Sequence, residues 1–284
     1  MGGREIPVVT GANGMLGREL AEVCGAAHPA TVAATRDEID ITDYWAMRWD
    51  LERLEATVVI NCAAFTDVDR CETEPRRAER INGEGPGNLA RACSEIGARL
   101  IHISTDFVFD GALDRPYRES DPTNPVSVYG QSKLVGEKAV LQASPEAMIV
   151  RCSWLYGRHG GNFIAAILAA ARRGERLRIV DDQQGTPTYA GDLARAILRL
   201  LDIPHRGLLH FANAGVCSRM EFAAEALRLA GFGGVAVERI RTADTGRAAP
   251  RPPYSALDTS LFTEVTGEAP RRWQATLHDY LGID

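Results

Sequence analysis

A short apolar run, Ile6 to Thr10, leads directly into Gly11-Ala-Asn-Gly14-Met-Leu-Gly17, and from Met15 to Val23 the apolar residues recur at helical spacing. A buried strand feeding a glycine turn that opens a helix is the start of a βαβ unit, and in that context the glycines read as a dinucleotide cradle. Gly11 suits the tight turn, Gly14 the close approach of backbone to a pyrophosphate, and Gly17 the packing of helix on sheet. The spacing is Gly-x-x-Gly-x-x-Gly rather than the commoner Gly-x-Gly-x-x-Gly. Gly11, Asn13, Gly14, Met15 and Leu16 are the turn residues offered to a cofactor.

The rest of the first half repeats the alternation. Thr31 to Thr35 reads as the second strand, ending at Arg36, where an acidic residue for a ribose 2′-hydroxyl is missing. Arg36 suits a 2′-phosphate and so favours NADPH, although Asp37 and Glu38 follow at once and leave NADH open. Asp40 and Ile41 lead to a helix from Tyr44 to Leu54, with Thr42 or Asp43 as N-cap. Val58 to Asn61 is the third strand, and the small residues Ala63 and Ala64 at its exit let a cofactor lie against the strand tip. Helical material at 76–81 and 88–96 is expected to break at Gly83 to Gly87. Leu100 to Ser104 is a fourth strand and Met148 to Arg151 a fifth. Strand and helix alternating at this period predict an α/β fold, a doubly wound parallel Rossmann sheet. After Arg151 the pattern loosens into helices at 162–172, 191–201, 220–230, 258–265 and 270–281, with short strands at 177–180, 207–211 and 235–238. This reads as a smaller C-terminal α/β lobe interleaved with the last strands of the sheet. The expected division is 1–152, with part of 182–216, for the cofactor domain and the remaining segments of 153–284 for the substrate lobe.

Tyr129 and Lys133 stand four residues apart at the start of an amphipathic run, one turn apart on one helix face. A lysine cation beside a phenol favours the phenolate, which lowers the tyrosine pKa and lets it exchange a proton with a carbonyl oxygen. The chain has seven Tyr but only two Lys, Lys133 and Lys138, so chance gives Tyr-x-x-x-Lys about once in twenty such chains. Context decides its meaning. Thr105 and Asp106 leave the carboxyl end of the fourth strand, where open α/β sheets bind ligands. A threonine hydroxyl there either orients a substrate carbonyl or caps a turn.

A net charge of −6 gives no basic footprint, so nucleic acid is not an expected partner. No run approaches 18 apolar residues, so no membrane span is expected. Met1-Gly2-Gly3-Arg4-Glu5 lacks the apolar region of a secretory leader, and Ile6 stands where a myristoylation signal needs Ser or Thr. Cysteines at 24, 62, 71, 93, 152 and 217 form no Cys-x-x-Cys and no zinc spacing. They read as small apolar fillers in a reducing cytoplasm.

Six blocks in order resemble one family. Residues 61–69 (Asn-Cys-Ala-Ala-Phe-Thr-Asp-Val-Asp), 104–111 (Ser-Thr-Asp-Phe-Val-Phe-Asp-Gly) and 129–137 (Tyr-Gly-Gln-Ser-Lys-Leu-Val-Gly-Glu) carry the resemblance in the first half. Residues 151–157, 182–188 and 251–258 carry it in the second. Together they are similar to the dTDP-4-dehydrorhamnose reductase family, in the extended branch of the short-chain dehydrogenase/reductase superfamily. The resemblance implies an NADPH-dependent reduction of the C4 ketone of a nucleotide sugar, with Thr105, Tyr129 and Lys133 catalytic. It implies Thr66, Val68, Thr105, Asp106, Trp154, Asn162, Gln184 and Arg251 for the sugar nucleotide, with Arg251 suited to a diphosphate. It implies no metal set: some members hold magnesium through glutamates at a dimer interface, and Glu19 falls near one such position without companions. Monomer and homodimer both stay open. Phe107 stands where the family often has Tyr, which removes a hydroxyl near the sugar. A dehydratase would need Glu directly after Asp106, and an epimerase an extra base; neither is present. A non-catalytic regulatory subunit similar to that of methionine adenosyltransferase, or another nucleotide-sugar 4-ketoreductase, are the alternatives, and the complete triad speaks against a pure binder.

Overall fold

A computed structural model describes residues 5–283. Met1 to Arg4, which bear on any leader or lipid signal, lie outside the described residues. In chain order the first half contains β1 (Pro7–Thr10), α1 (Met15–Ala27), β2 (Val32–Ala34), α2 (Tyr44–Arg53), β3 (Val58–Asn61), α3 (Val68–Thr73), α4 (Pro75–Ala78), α5 (Gly85–Ile96), β4 (Arg99–Thr105), α6 (Val128–Ala143) and β5 (Met148–Cys152). The second half contains β6 (Leu155–Tyr156), α7 (Phe163–Arg172), β7 (Leu177–Val180), β8 (Gln184–Gly185), β9 (Thr188–Tyr189), α8 (Ala190–Leu201), β10 (Gly207–His210), β11 (Cys217–Ser218), α9 (Arg219–Leu229), β12 (Val237–Ile240), α10 (Ser260–Thr266) and α11 (Trp273–Leu281).

Six strands form one parallel sheet in the order β10-β5-β4-β3-β1-β2. Side chains alternate across a strand, so each strand supplies both cores. Val9, Ile60, Ile101 and Val150 pack under Leu16 and Leu20 of α1, Leu193 and Ile197 of α8, and Phe262 of α10. Val8, Val59, Leu100 and Ile149 pack under Met47 of α2, Leu89 and Cys93 of α5, and Val140 of α6. A third cluster, with Tyr156, Ile164, Phe222 and Trp273, organises α7, α9 and α11.

The expected break at Gly83 to Gly87 is not there. The chain runs from α4 through a π-helical stretch, Glu79–Glu84, straight into α5. These glycines serve packing rather than a turn: a Cβ on Gly87 would come within 2.8 Å of the Ala139 methyl on α6, and one on Gly85 within 2.9 Å of Ile41. The wide turn turns Asn82 inward, where its Oδ1 accepts from Phe65 N at 2.7 Å and its Nδ2 donates to Phe65 O at 2.9 Å and Ser132 Oγ at 3.1 Å. π-turns are rare and often mark functional places; this one ties the exit of β3 to α6. The second strand is shorter than expected, so Arg36 lies in a turn beyond it. Among the described residues no helix is long and apolar enough to cross a membrane, and all six cysteines are unpaired.

Candidate active site

The chain reverses direction across the sheet between β1 and β3, which makes the crevice beyond their carboxyl ends the ligand position of an open α/β sheet. Gly11 lines it with φ +67, and a Cβ there would stand 2.7 Å from Ala63 N. Only glycine adopts that conformation in that space. Helices α2, α3, α6, α7 and α9 begin with a side chain accepting from their first amides: Asp43, Asp67, Ser127, Asn162 and Ser218. α1 begins at Gly14 with no such cap. Its first amides stay available for an anion, which fits a dinucleotide pyrophosphate. Asn13 and Gly14 are exposed and Met15 is half-buried, whereas the Leu16 side chain belongs to the core and leaves only its backbone for a cofactor.

Ala63 and Ala64 are half-buried at the exit of β3. Arg36 is exposed, with Asp40 Oδ2 3.4 Å away. Asp40 also accepts from Thr42 N at 2.9 Å and Thr42 Oγ1 at 2.8 Å. Its carboxyl lies below its usual range despite the cost of partial burial, because those bonds and Arg36 favour the anion. Ile41 is core, packed against Gly85.

Ser127 caps α6 and so places Tyr129 in its first turn. A Cβ on the next residue, Gly130, would overlap Phe107 O, so the helix start is pressed onto the turn after β4. That turn is capped by Thr105, whose Oγ1 accepts from Phe107 N at 3.2 Å and donates to Asp106 Oδ1 at 3.1 Å. The capping role and a place beside the phenol thus fall to the same hydroxyl. Burial pushes the Tyr129 phenol above its usual range, with the Thr105 hydroxyl pulling the other way. This reverses the expected direction: removing the phenolate from water raises the phenol, and the Lys133 charge is not among the groups that pull it down. Phe107 packs edge-on against the Tyr129 ring, centroids 5.6 Å apart, so the ring that lacks a hydroxyl braces the phenol.

Lys133 lies one turn on, buried, with Nζ donating to Ile103 O at 2.7 Å and 3.3 Å from His102 Nε2. Burial lowers its pKa to about 8. Behind it, Glu137 accepts from Arg151 Nε at 2.8 Å, Arg151 Nη2 at 2.6 Å and Ser104 Oγ at 2.5 Å, a buried ion pair joining α6 to β5 and β4.

The remaining sugar-nucleotide residues fall into two groups. Thr105 pairs in register with Cys152, so Ser153 and Trp154 leave β5 beside Thr105 and Asp106. Trp154 has φ +46, a strained conformation for a bulky residue. Its ring is buried: Arg219 stacks over it, 3.6 Å from the centroid, and a Cβ on Gly185 would come within 2.5 Å of it. Burial raises the Asp106 carboxyl to about 6, with Ser255, Thr105 and Arg219 pulling it down. Arg219 and Ser255 went unread in the sequence; Ser218-x-x-Glu221 is a capping box that marks a helix start and puts Arg219 in its first turn.

Away from that group, Arg251 pairs with Asp69. Its Nη1 and Nη2 each donate to Asp69 at 2.7 Å, and Nη1 also to Ala249 O at 2.5 Å. The Arg251 guanidinium holds Asp69 down to about 2. Asn162 caps α7, its Oδ1 accepting from Ala165 N at 2.9 Å while its Nδ2 donates to Gly157 O at 2.9 Å. Gln184 and Thr66 are exposed and Val68 half-buried. Glu19, buried with Oε1 unpartnered among the described residues, does have companions: Glu22 and His159 bring ligand atoms within 4.8 Å.

Residues 6–283 match the family described as the RmlD substrate binding domain. A dTDP-4-dehydrorhamnose reductase of Mycobacterium tuberculosis is 45% identical over 287 residues, covering 98% of this chain and 93% of that one. One from Mycolicibacterium smegmatis is 44% identical over 279 residues, covering 96% and 84%. A solved structure of dTDP-4-dehydrorhamnose reductase from Bacillus anthracis, in complex with NADP, superposes with TM-score 0.94 at 34% identity, covering 98% of this chain and 99% of that one.

Proposed function

The chain belongs to the RmlD substrate binding domain family, and from that membership we propose that it reduces the C4 ketone of dTDP-4-dehydro-L-rhamnose with NADPH, giving dTDP-L-rhamnose. It is an oxidoreductase of nucleotide-sugar biosynthesis. The observation that carries the reading is the meeting of Thr105, Tyr129 and Lys133 at the end of β4, beside the bare-amide start of α1.

Gly11, Asn13, Gly14 and the α1 amides would hold the pyrophosphate, Ala63 and Ala64 the space beside β3, and Arg36 the 2′-phosphate. NADPH, when bound, supplies the hydride. Thr105, its single hydroxyl proton turned from Asp106 to the substrate, donates to the keto oxygen, and Tyr129 gives its phenolic proton to O4 as the alkoxide forms. A phenol held above its usual range suits that task, since the acid must keep its proton at neutral pH until charge develops on O4. Lys133 holds the nicotinamide ribose and places a cation where the phenolate appears. Asp106, Trp154 and Arg219 line the sugar side.

We assign 1–152, with part of 182–216, to cofactor binding and the remaining segments of 153–284 to the sugar nucleotide. We assign the protein to the cytoplasm, as monomer or homodimer, and no step of the reaction to a metal. The test is direct: pure protein mixed with NADPH and dTDP-4-dehydro-L-rhamnose should consume the nicotinamide absorbance and release dTDP-L-rhamnose. No oxidation with authentic substrate sinks the proposal.

A further inference from the structure

One buried chain of polar groups runs from the glycine turn to Lys133. Ala63 N donates to Asn61 Oδ1 at 3.1 Å, and Thr10 Oγ1 donates to the same atom at 2.8 Å. A backbone N–H can only donate, so the atom it meets is the amide oxygen, and the Asn61 orientation is fixed. Asn61 Nδ2 therefore faces His102 Nδ1, at 3.0 Å. An amide nitrogen also only donates, so His102 Nδ1 is the bare, accepting nitrogen. His102 is wholly buried, and burial keeps it neutral. A neutral imidazole with a bare Nδ1 carries its proton on Nε2. That Nε2–H points at Lys133 Nζ. An ammonium has three donors and no acceptor. Only the neutral amine, through its lone pair, completes this contact.

We propose that His102 is a positioning residue for Lys133: with Asn61 it holds out an Nε2–H that only the neutral amine accepts, so this seat belongs to the neutral amine and the ammonium must leave it. Protonation and the movement of Nζ toward the ribose and Tyr129 are then one event. The inference rests on the role given to Lys133 above. The other groups facing Lys133 are Glu137 on its own helix, Cys62 beyond β3 and Cys152 on β5, all favouring the ammonium against burial. Glu137 is already engaged by Arg151 and Ser104, and Ile103 O accepts from amine and ammonium alike, which leaves the His102 contact to tell the two apart.

The chain's two lysines make the test clean. Protein carrying [13Cε]lysine should give two lysine signals, and that of Lys133 should titrate near 8. His102→Leu removes the donor to the neutral amine and should raise the Lys133 midpoint by roughly half to one unit. His102→Gln, which keeps an amide donor, should restore it. NADPH should raise the midpoint in the unaltered protein, as the ribose oxygens draw the ammonium out. A midpoint that His102→Leu leaves in place or lowers means burial alone sets it, and overturns the proposal. Should His102→Leu not fold, [15N]histidine spectra of the unaltered protein decide: His102 bare at Nδ1 and protonated at Nε2 supports the proposal, and the opposite tautomer or an imidazolium overturns it. None of these signals reads turnover, so failure of the reductase assay and failure of this proposal are told apart.

Discussion

The two halves of the site are built in opposite ways. The glycine turn works by what it lacks: Gly11 and Gly17 have no side chain because backbone fills the space, and α1 starts without a side-chain cap. The surroundings of Tyr129 work by what they hold: Lys133, His102, Glu137 and Arg151 are buried polar side chains with partners on adjacent elements. The first half breaks when an atom is added, the second when a partner is removed. A cofactor seat can be made of backbone because pyrophosphate brings the charge itself; an acid has to be made of a side chain whose proton the surroundings control.

Tyr129→Phe should separate the halves most sharply. Turnover should fall roughly 10²- to 10⁴-fold while NADPH affinity, measured by fluorescence titration, stays near that of the unaltered protein; surviving turnover would mean that the proton comes from elsewhere. Next is Glu137→Leu, which strands Arg151 as a buried unpaired charge and should cost about 3–5 kcal/mol in denaturant unfolding. A loss under about 1 kcal/mol would show that Arg151 finds water or another partner. On the other half, Gly17→Ala drives a methyl into Gly11 O and to 2.8 Å from Ala12 Cα. It should cost about 1–3 kcal/mol and weaken NADPH binding, with any residual activity keeping the unaltered pH profile. The smallest effect is expected of Arg36→Ala: an exposed charge already beside Asp40 should shift the NADPH-to-NADH preference by roughly two- to fivefold. Equal use of both cofactors by the unaltered protein would remove Arg36 from the account.

The same contrast explains what the sequence made legible. Sheet, glycine turn and Tyr129-x-x-x-Lys133 are local patterns, and strand–helix period alone puts them at one sheet edge. Gly83 to Gly87 misled because a glycine run reads as a break when its partner is unseen; the partner is Ala139 on another helix. The phenol's direction of shift misled for a related reason, since a lysine four residues away is visible in sequence and burial is not. Arg251 and Asn162 read from the sequence as nucleotide contacts; what the sequence does not show is that Arg251 pairs with Asp69, 182 residues away, and that the Asn162 amide oxygen caps α7. His102 did leave a trace, a lone polar residue in Leu100-Ile-His-Ile, yet its partner Asn61 sits on the neighbouring strand and only the register β3–β4 brings them level.

Gly130 stacks the first turn of α6 directly on Phe107 O, backbone against backbone. The height of the Tyr129 hydroxyl over the strand end is therefore set by main-chain atoms that every sequence shares. Substitutions that loosen the apolar layers beneath the sheet should shorten survival on heating while leaving the Tyr129 hydroxyl where it stands.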